Sequence, residues 1–209
     1  MKTVLCYGDS NTYGYDPRNG MRYPADVRWP GVLRELLGAE YSVIEEGCNG
    51  RTTVFDDPIE GWKNGLDYLK PCLNSHKPID IVIMMLGSND MKICYDASCE
   101  DIAEGMRAVV KAAVDTLVYK QKYAPEVIIV SPPEITEDVI NGPFAGSFDE
   151  ACCEKSKCLA KYYLSVASDL GVGFLNAAEY IRPSKEDGLH LTADAHKGLA
   201  EAVASMIVS

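Results

Sequence analysis

The sequence predicts an α/β fold, a three-layer α/β/α sandwich around a five-stranded parallel sheet. Apolar segments rich in β-branched residues alternate with longer helical patterns along the 209 residues, which is typical of parallel strands joined by right-handed crossover helices. The segment 79–86 is apolar without alternation, as expected of a central strand covered on both faces. No linker or repeat interrupts the chain, so residues 1–209 are predicted to form a single domain.

Local signals predict the first two strands and the helix between them. The apolar residues 3–6 precede a Gly-Asp-Ser turn, so we expect them to form a buried first strand. Pro30 suits the first position of a helix over 31–37, and Gly38 ends that helix. The apolar centre of 41–45 indicates the second strand.

The middle of the chain is predicted to contain two helices and a fourth strand. Apolar residues that include Trp62 recur at helical spacing from 61 to 75. Pro71 interrupts this pattern late and leaves the end of the helix open. A long helix is predicted over 97–119, and the β-branched residues 127–130 indicate the fourth strand.

The last third is predicted to hold a loop, two helices and the fifth strand. Residues 134–147 are predicted to form an irregular loop of a length that often serves as a functional lid. A helix over 148–170 precedes a short strand near 172–175. Thr192 is predicted to cap the final helix, and Asp194 lies in its first turn, where the helix dipole favours a carboxylate.

The composition indicates a soluble globular protein. Hydrophobic residues make up 47% and charged residues 24% of the chain, and no apolar run approaches the roughly 20 residues of a membrane span. The formal net charge of −11 opposes binding to nucleic acid or to anionic lipid surfaces. The apolar start is too short for a signal peptide. We therefore expect a cytoplasmic protein without nucleic-acid or membrane partners.

The cysteines and histidines argue against disulfides and metals. The eight cysteines contain no CxxC pair, and we interpret them as buried free thiols. They are Cys6, Cys48, Cys72, Cys94, Cys99, Cys152, Cys153 and Cys158. Because the chain has only three histidines, and zinc usually takes three or four ligands at recognisable spacing, we expect no metal and no cofactor.

Four polar or small residues come after predicted strands. Ser10 follows the first strand, Gly47 the second, Asn89 the third, and His190 comes after the fifth. Because the carboxyl ends of parallel strands meet at one edge of the sheet, where ligands bind, we expect these residues to lie close together. A serine at such an edge can attack a carbonyl group if a base takes its proton.

The same residues predict the chemistry of a serine esterase. His190 is the candidate base, and Asp187 is predicted to hold the second ring nitrogen of His190. The backbone N–H groups of Ser10 and Gly47 and the side-chain amide of Asn89 are predicted to bind the developing oxyanion. We expect the substrate to be a small ester with a short acyl chain, because the sequence has no long apolar segment suited to a lipid-surface lid.

These residues resemble the four sequence blocks of the SGNH, or GDSL-type, hydrolases. The blocks are Gly8-Asp9-Ser10-Asn11, Gly47, Gly87-Ser88-Asn89-Asp90 and Asp187-Gly188-Leu189-His190. Further segments, spread over nearly the whole chain, are similar to the arylesterase and acyltransferase branch of that family. They are Asp26-Val27-Arg28-Trp29, Ile44-Glu45-Glu46-Gly47, Arg51-Thr52-Thr53, Asp57-Pro58 and Val130-Ser131-Pro132-Pro133. One departure is Asn11, where many members have leucine.

The resemblance implies a flavodoxin-like sandwich and a role for each site residue. Ser10 is the implied nucleophile, His190 the general base and acid, and Asp187 its orienting partner. Ser10, Gly47 and Asn89 are the implied oxyanion hole. Some members of this branch form octamers and transfer acyl groups to alcohols or peroxide. We therefore expect a homo-oligomer, with the octamer as the implied form, and acyl transfer beside hydrolysis.

Two alternatives stay open at this point. A carbohydrate O-acetyl esterase would use the same triad, and only the shape of the pocket separates it from an arylesterase. A flavodoxin-like module that binds a phosphate or nucleotide would use the same edge of the sheet. The chain lacks a glycine-rich phosphate loop, and this second alternative leaves Asp187 and His190 unexplained.

Six further side chains have competing interpretations. Tyr13, Tyr15 and Trp29 would either line the acyl pocket or serve in packing. Arg51 would bind an anionic substrate or, more simply, pair with nearby aspartates. His76 is predicted to lie in an exposed loop, and His196 to be a surface or packing residue of the final helix.

Overall fold

A computed structural model of the protein describes residues 1–208 and has a five-stranded sheet at its centre. The strands are β1 (Lys2–Gly8), β2 (Tyr41–Gly47), β3 (Ile81–Met85), β4 (Glu126–Ser131) and β5 (Gly173–Asn176). All neighbouring pairs are parallel, and their spatial order is β2-β1-β3-β4-β5. The strand order reverses beside β1, which makes the carboxyl end of β1 the expected place for a ligand.

Helices cover both faces of this sheet, so the predicted α/β/α sandwich is confirmed. They are α1 (Ser10–Tyr13), α2 (Trp29–Leu37), α3 (Gly65–His76), α4 (Cys99–Gln121), α5 (Asp138–Asn141), α6 (Glu150–Leu170) and α7 (Ala193–Val208). α2 and α7 pack together on one face, and α3, α4 and α6 pack on the other.

The core follows from the alternation of side chains along the strands. In β1, Val4 and Cys6 contribute to the cluster under α2 and α7, whereas Leu5 and Tyr7 contribute to the cluster under α3, α4 and α6. All four side chains are fully buried. A strand with both faces covered needs no polar side, which explains why the central strands are apolar without interruption.

Capping side chains set the starts of several helices. The Ser98 side chain accepts a hydrogen bond from the Asp101 N–H at the start of α4, and Asp149 caps α6 in the same way. Thr192 Oγ1 accepts from the Ala195 N–H at 3.2 Å, which confirms the predicted cap of α7. Each cap satisfies a backbone donor that the first turn of a helix leaves without a partner.

Several elements differ from the sequence prediction, most clearly α2, α3 and the loop 134–147. α2 begins at Trp29, two residues before the predicted start. α3 begins at Gly65, because the Asn64 side chain accepts hydrogen bonds from the N–H groups of Leu66 and Asp67. Trp62 therefore lies outside α3 and is 66% exposed, so its helical spacing was misleading. The predicted loop 134–147 contains the short helix α5.

The interpretation of all eight cysteines as buried thiols was wrong for two of them. Every cysteine is a free thiol, but Cys94 and Cys158 are exposed, and Cys48 and Cys99 are half-buried. Among residues 1–208, no helix has the length and apolar character needed to cross a membrane.

Candidate active site

Ser10, Asp187 and His190 meet at the carboxyl edge of the sheet. The Ser10 Oγ atom lies 2.8 Å from His190 Nε2, across 180 positions of sequence. The other ring nitrogen, His190 Nδ1, lies 2.7 Å from Asp187 Oδ2. All three residues are buried, with exposed fractions of 7%, 0% and 3%. The structure therefore joins a hydroxyl, an imidazole and a carboxylate in one hydrogen-bonded chain, as the sequence predicted.

A tight turn after β1 positions Ser10. Asp9 precedes α1, and its Oδ1 atom accepts a hydrogen bond from the Asn11 N–H at 2.9 Å. Gly14, with φ 88°, ends α1 after one turn. The turn is only four residues long, so the serine side chain is fixed by the strand before it and by the contacts of Asp9.

A second turn positions the histidine. Asp187 Oδ1 accepts hydrogen bonds from the backbone N–H groups of Leu189 and His190, at 3.0 and 2.9 Å. Gly188 has φ 66°, and a Cβ atom there would lie 2.8 Å from the carbonyl oxygen of Thr136. Only glycine fits this turn without strain. The same carboxylate therefore shapes the loop through one oxygen and orients the imidazole through the other.

Asn11 ties these two turns together, a role that sequence reasoning missed. Its Nδ2 atom donates to the Leu189 carbonyl oxygen at 3.3 Å. Its Oδ1 atom accepts from the Leu191 N–H at 3.1 Å. The asparagine that departs from the usual leucine thus holds the histidine loop against the serine turn. No local pattern identifies this contact, because its partners lie about 180 residues away.

The buried carboxylates have unequal electrostatic surroundings. Burial raises the pKa of the Asp187 carboxyl, but the hydrogen bonds and charge of His190 outweigh burial and hold that pKa below its usual value. For Asp9 and Asp90, burial dominates and raises the pKa of each to about 6. Asp187 is therefore the carboxylate that stays ionised next to the imidazole.

Asn89 lies at the same cavity as Ser10, whereas Gly47 does not. The Asn89 Nδ2 atom is 3.2 Å from the Arg51 carbonyl oxygen and 3.5 Å from Asp9 Oδ2. Gly47 packs under α1, where an added Cβ would overlap the backbone of Tyr13. Because the Cys48 N–H donates to β1, the alternation along the edge strand β2 directs the Gly47 N–H away from β1. The prediction of Gly47 as an oxyanion donor is therefore corrected.

Gly50, three residues after Gly47, belongs to the cavity that Gly47 does not line. It lines the cavity beside Ser10, Asn89 and His190, and its φ of 79° is a conformation that favours glycine. Within residues 1–208 its N–H donates no hydrogen bond. The Asn-Gly pair at 49–50, a frequent turn signal, was the local pattern that could have identified it.

The cavity measures about 220 Å³ and has two unlike walls. Tyr15 and Phe144 form an apolar wall, with ring centroids 4.2 and 5.2 Å from that of His190. The charged wall consists of the other ionisable side chains that line the cavity, Asp57, Glu60, Lys63 and Lys92.

Arg51 and Trp29 lie outside this cavity. Both interpretations of Arg51 were wrong, since its guanidinium is buried and donates to the carbonyl oxygens of Gly8 and Glu46. Arg51 therefore holds the turn after β2. Trp29, the first residue of α2, is buried in the core cluster on that face of the sheet. Of the three aromatic candidates, Tyr13, Tyr15 and Trp29, only Tyr15 lines the cavity.

The two remaining histidines are also placed by the structure. His196 is fully buried and its Nδ1 atom accepts from the Trp29 N–H at 3.2 Å, so it is a packing residue. The prediction of His76 in an exposed loop was wrong. It is the last residue of α3, and its Nε2 atom lies 2.7 Å from Glu46 Oε1.

Comparison with known proteins gives one family and several close structures. The GDSL-like lipase/acylhydrolase family model matches residues 6–197. None of the curated proteins compared matches the chain. An aryl esterase of M. smegmatis is 38% identical, with 100% of this chain and 99% of that chain covered and a TM-score of 0.93.

Two further structures extend the comparison. A carbohydrate acetylesterase from Sinorhizobium meliloti is 37% identical, with the same coverage of 100% and 99% and a TM-score of 0.93. A member of the lipolytic G-D-S-L family from Veillonella parvula is 14% identical, with a TM-score of 0.70 over 100% of this chain and 99% of that one, and shows the fold alone.

Proposed function

We propose a catalytic triad of Ser10, His190 and Asp187 for this chain, which belongs to the GDSL-like lipase/acylhydrolase family and is a carboxylic ester hydrolase. One observation carries this proposal, the chain of hydrogen bonds from Ser10 Oγ through the His190 ring to Asp187. This arrangement can activate a serine hydroxyl at neutral pH, because the imidazole accepts its proton and the carboxylate stabilises the resulting imidazolium.

The proposed reaction has two steps. Ser10 Oγ attacks the ester carbonyl carbon while its proton passes to His190 Nε2. The tetrahedral intermediate then collapses, the bond to the alcohol oxygen breaks, and His190 returns the proton to the leaving alcohol. In the second step water attacks the acyl-enzyme, with His190 as the base, and the carboxylic acid is released.

The proposed oxyanion hole consists of the Ser10 N–H, the Gly50 N–H and the Asn89 amide. Gly50 replaces Gly47 in this assignment. Its position at the cavity and its unused N–H within residues 1–208 support the replacement. Each donor of this kind is worth about 100- to 1,000-fold in rate. Asn89→Ala is expected to lower kcat by that factor with little change in KM, and Asn19→Ala, an exposed asparagine, is the control.

The size of the cavity supports short acyl chains. Its volume of about 220 Å³ is below the roughly 300 Å³ at which typical ligand pockets begin. The rings of Tyr15 and Phe144 beside His190 form an apolar wall for a small acyl or aryl group. An acyl-enzyme can also be released by an alcohol or a peroxide instead of water, and we include this acyl transfer in the proposal.

A carbohydrate O-acetyl esterase is the second candidate function. The charged wall supports it, because the carboxylates of Asp57 and Glu60 and the ammonium groups of Lys63 and Lys92 suit the hydroxyl groups of a sugar. The similarity to a carbohydrate acetylesterase points in the same direction. Rates on acetylated sugars and on aryl acetates, each measured with and without an added alcohol, separate these two functions and reveal acyl transfer.

A fluorophosphonate probe tests the nucleophile. We expect covalent labelling of the wild type at Ser10 and none of Ser10→Ala. His190→Gln is the matched control that keeps the serine but removes its base, and it is expected to slow labelling strongly. Undiminished labelling of Ser10→Ala would reject the assignment of the nucleophile.

We also propose a homo-oligomer larger than a dimer, with the octamer as the form suggested by resemblance. Ile59 and Trp62 support this proposal, since they flank the charged wall of the cavity and are 91% and 66% exposed. Large exposed apolar side chains of this kind often mark protein–protein contacts. Light scattering at micromolar concentration tests the proposal, and a monomeric mass would refute it.

A further inference from the structure

Three potential metal ligands lie together behind the edge strand β2, outside the catalytic cavity. Glu46 comes from β2, and Cys72 and His76 come from α3. One ligand atom from each lies within 4.8 Å of the other two, and His76 Nε2 is 2.7 Å from Glu46 Oε1. Cys72 is 2% exposed, whereas the side chains of Glu46 and His76 are 18% and 31% exposed. The group is therefore buried at its sulfur and open to solvent at its other two members.

The local structure explains why these three side chains meet. Cys72 and His76 are four residues apart on α3, so they share one face of that helix. Ile44 and Glu46 point to the same face of the sheet, because side chains alternate along a strand. Ile44 packs against the core cluster that contains Cys72. Glu46, two residues further along β2, contacts His76 at the C-terminal end of α3.

We propose that Glu46, Cys72 and His76 form a binding site for a divalent transition metal ion such as Zn²⁺, with a water molecule as the fourth ligand. Sulfur, imidazole nitrogen and carboxylate oxygen are the ligand types that zinc takes. Bonds of about 2.0 to 2.3 Å in a tetrahedron place the ligand atoms roughly 3.5 Å apart. Side-chain movements of about 1 Å reach that geometry from the observed separations.

The charges of the site are compatible with a dication. Burial, followed by the nearby Glu46 charge, raises the pKa of the Cys72 thiol to about 12, so without metal the sulfur keeps its proton. Metal binding releases that proton to water as the metal–sulfur bond forms. The thiolate and the Glu46 carboxylate together neutralise the ion.

Two neighbours of the site bear on its stability. The Arg51 guanidinium lies over the Tyr7 ring, 4.3 Å from its centroid. Its positive charge disfavours the binding of a metal ion at the site. Because the filled site has no net charge, this repulsion stays small. Tyr68, which also lies on α3, is close to Glu46 and stands outside the ligand group, where the outer partners of metal ligands commonly lie.

Occupation of this site would join the edge strand β2 to α3. Glu46 directly precedes the turn at 47–51, which carries Gly50 into the catalytic cavity. A bound ion would therefore stabilise the frame of that turn. The ion would not contact the ester, since none of its three ligands lines the cavity that contains Ser10 and His190.

Cobalt spectroscopy on the full chain tests the site. One equivalent of Co²⁺ is expected to give thiolate-to-cobalt charge-transfer absorption and the visible bands of a tetrahedral ion, and excess Zn²⁺ is expected to remove both. Cys72→Ser and His76→Gln should lose the charge-transfer absorption. Cys94→Ser, which alters an exposed cysteine, and His190→Gln, which removes the catalytic histidine, should keep it.

Thermal unfolding gives an independent readout. Zn²⁺ at 100 times its apparent Kd is expected to raise the unfolding midpoint by about 5 °C or more in the wild type and in Cys94→Ser, and by less than about 1 °C in His76→Gln. His76 is partly exposed, so this variant should fold even if Cys72→Ser does not. The proposal is overturned if stoichiometric Co²⁺ gives no charge-transfer band, if the band survives in His76→Gln, or if His190→Gln abolishes it.

Discussion

His190 and His196 are six residues apart and almost equally buried, yet their surroundings are opposite. His190 lies in a loop, and both of its ring nitrogens have side-chain partners, Asp187 and Ser10. His196 lies on α7, where Nδ1 accepts from a backbone N–H and Nε2 has no hydrogen-bond partner within residues 1–208. Burial alone therefore does not distinguish a candidate base from a packing residue.

The two histidines differ in whether a negatively charged side chain contacts the ring. Burial, followed by the charges of His190 and Arg28, lowers the pKa of His196 to about 3. The ring of His196 therefore stays neutral. His190 has the ionised Asp187 carboxylate against its Nδ1 atom, which is the partner that an imidazolium needs during proton transfer. A buried histidine can carry charge in a reaction only where the fold supplies such a partner.

The largest effect is expected from His190→Gln. Glutamine cannot accept the serine proton, so kcat/KM for a short-chain aryl ester should fall about 10⁴-fold or more. His196→Asn is the matched control and should stay within about threefold of the wild type, because His196 does not line the cavity. Equal losses of kcat/KM in the two variants would show that His190 and His196 do not differ in their roles.

Asp187→Asn tests whether the charge of the partner matters. Its amide N–H would face His190 Nδ1 and favour the ring tautomer that cannot accept the serine proton. We expect kcat to fall about 10³- to 10⁴-fold with the protein still folded. Steady-state kinetics and circular dichroism check this prediction, and a loss below tenfold would show that Asp187 does not act through the imidazole.

His196→Asn is expected to lower stability without lowering activity. Asparagine keeps an oxygen acceptor for the Trp29 N–H, but it leaves part of the buried ring volume empty. The free energy of unfolding should fall by about 1 to 3 kcal/mol. Urea titration measures it, with Lys197→Ala on the exposed side of α7 as the control. A stability equal to that of the wild type would contradict the packing role.

The smallest and most specific effect is expected in the pH dependence of stability. The difference in unfolding free energy between the wild type and His196→Asn should change with pH. The folded chain keeps His196 neutral down to about pH 3, whereas the unfolded chain takes up a proton below about pH 6.5. His196 therefore contributes stability that is complete above pH 6.5 and is lost as the pH falls towards 3. The loss approaches about 1.4 kcal/mol for each pH unit within that window.

Comparison of the wild type with His196→Asn isolates this contribution. Burial raises the pKa values of Asp9 and Asp90 to about 6, so these carboxyl groups change the stability in the opposite direction below pH 6. Both proteins contain them, and the effect cancels in the difference. Urea titrations at pH 7, 5.5 and 4.5 should show the advantage of the wild type shrinking as the pH falls. A constant difference would contradict the lowered pKa of His196.

Much of the fold and of the triad geometry could be predicted because their signals are local. The strands are apolar runs, Thr192 is a capping residue before a helix, and the aspartate and histidine of the second turn are three residues apart. Trp62 shows the limit of the same reasoning. Trp62 does lie at helical spacing from the apolar residues that follow it. However, the hydrogen bonds accepted by Asn64 make α3 begin after Trp62, and the spacing of apolar residues does not show where such a cap forms.

Contacts between distant segments account for the corrections at the site. Gly47 and Gly50 are three residues apart, but only Gly50 lines the cavity beside Ser10, because Gly47 packs under α1. Asn11 and Arg51 act on backbone groups of other segments. The scarcity of histidines argued against zinc, but the structure brings a carboxylate and a thiol from two different elements close to His76, and the proposed metal site depends on that contact.

The sequence by itself determined the order of strands and helices, the turns that present Ser10 and His190, and the types of chemical group available. Those features depend on residues within a few positions of one another, where backbone preferences and side-chain periodicity act directly. Only the tertiary structure decided which groups meet, which glycine lines the cavity and which buried histidine has a charged partner. Such pairings follow from how strands align and helices pack, and the physical reason is that their energies depend on distances between segments as far as 180 residues apart in the chain.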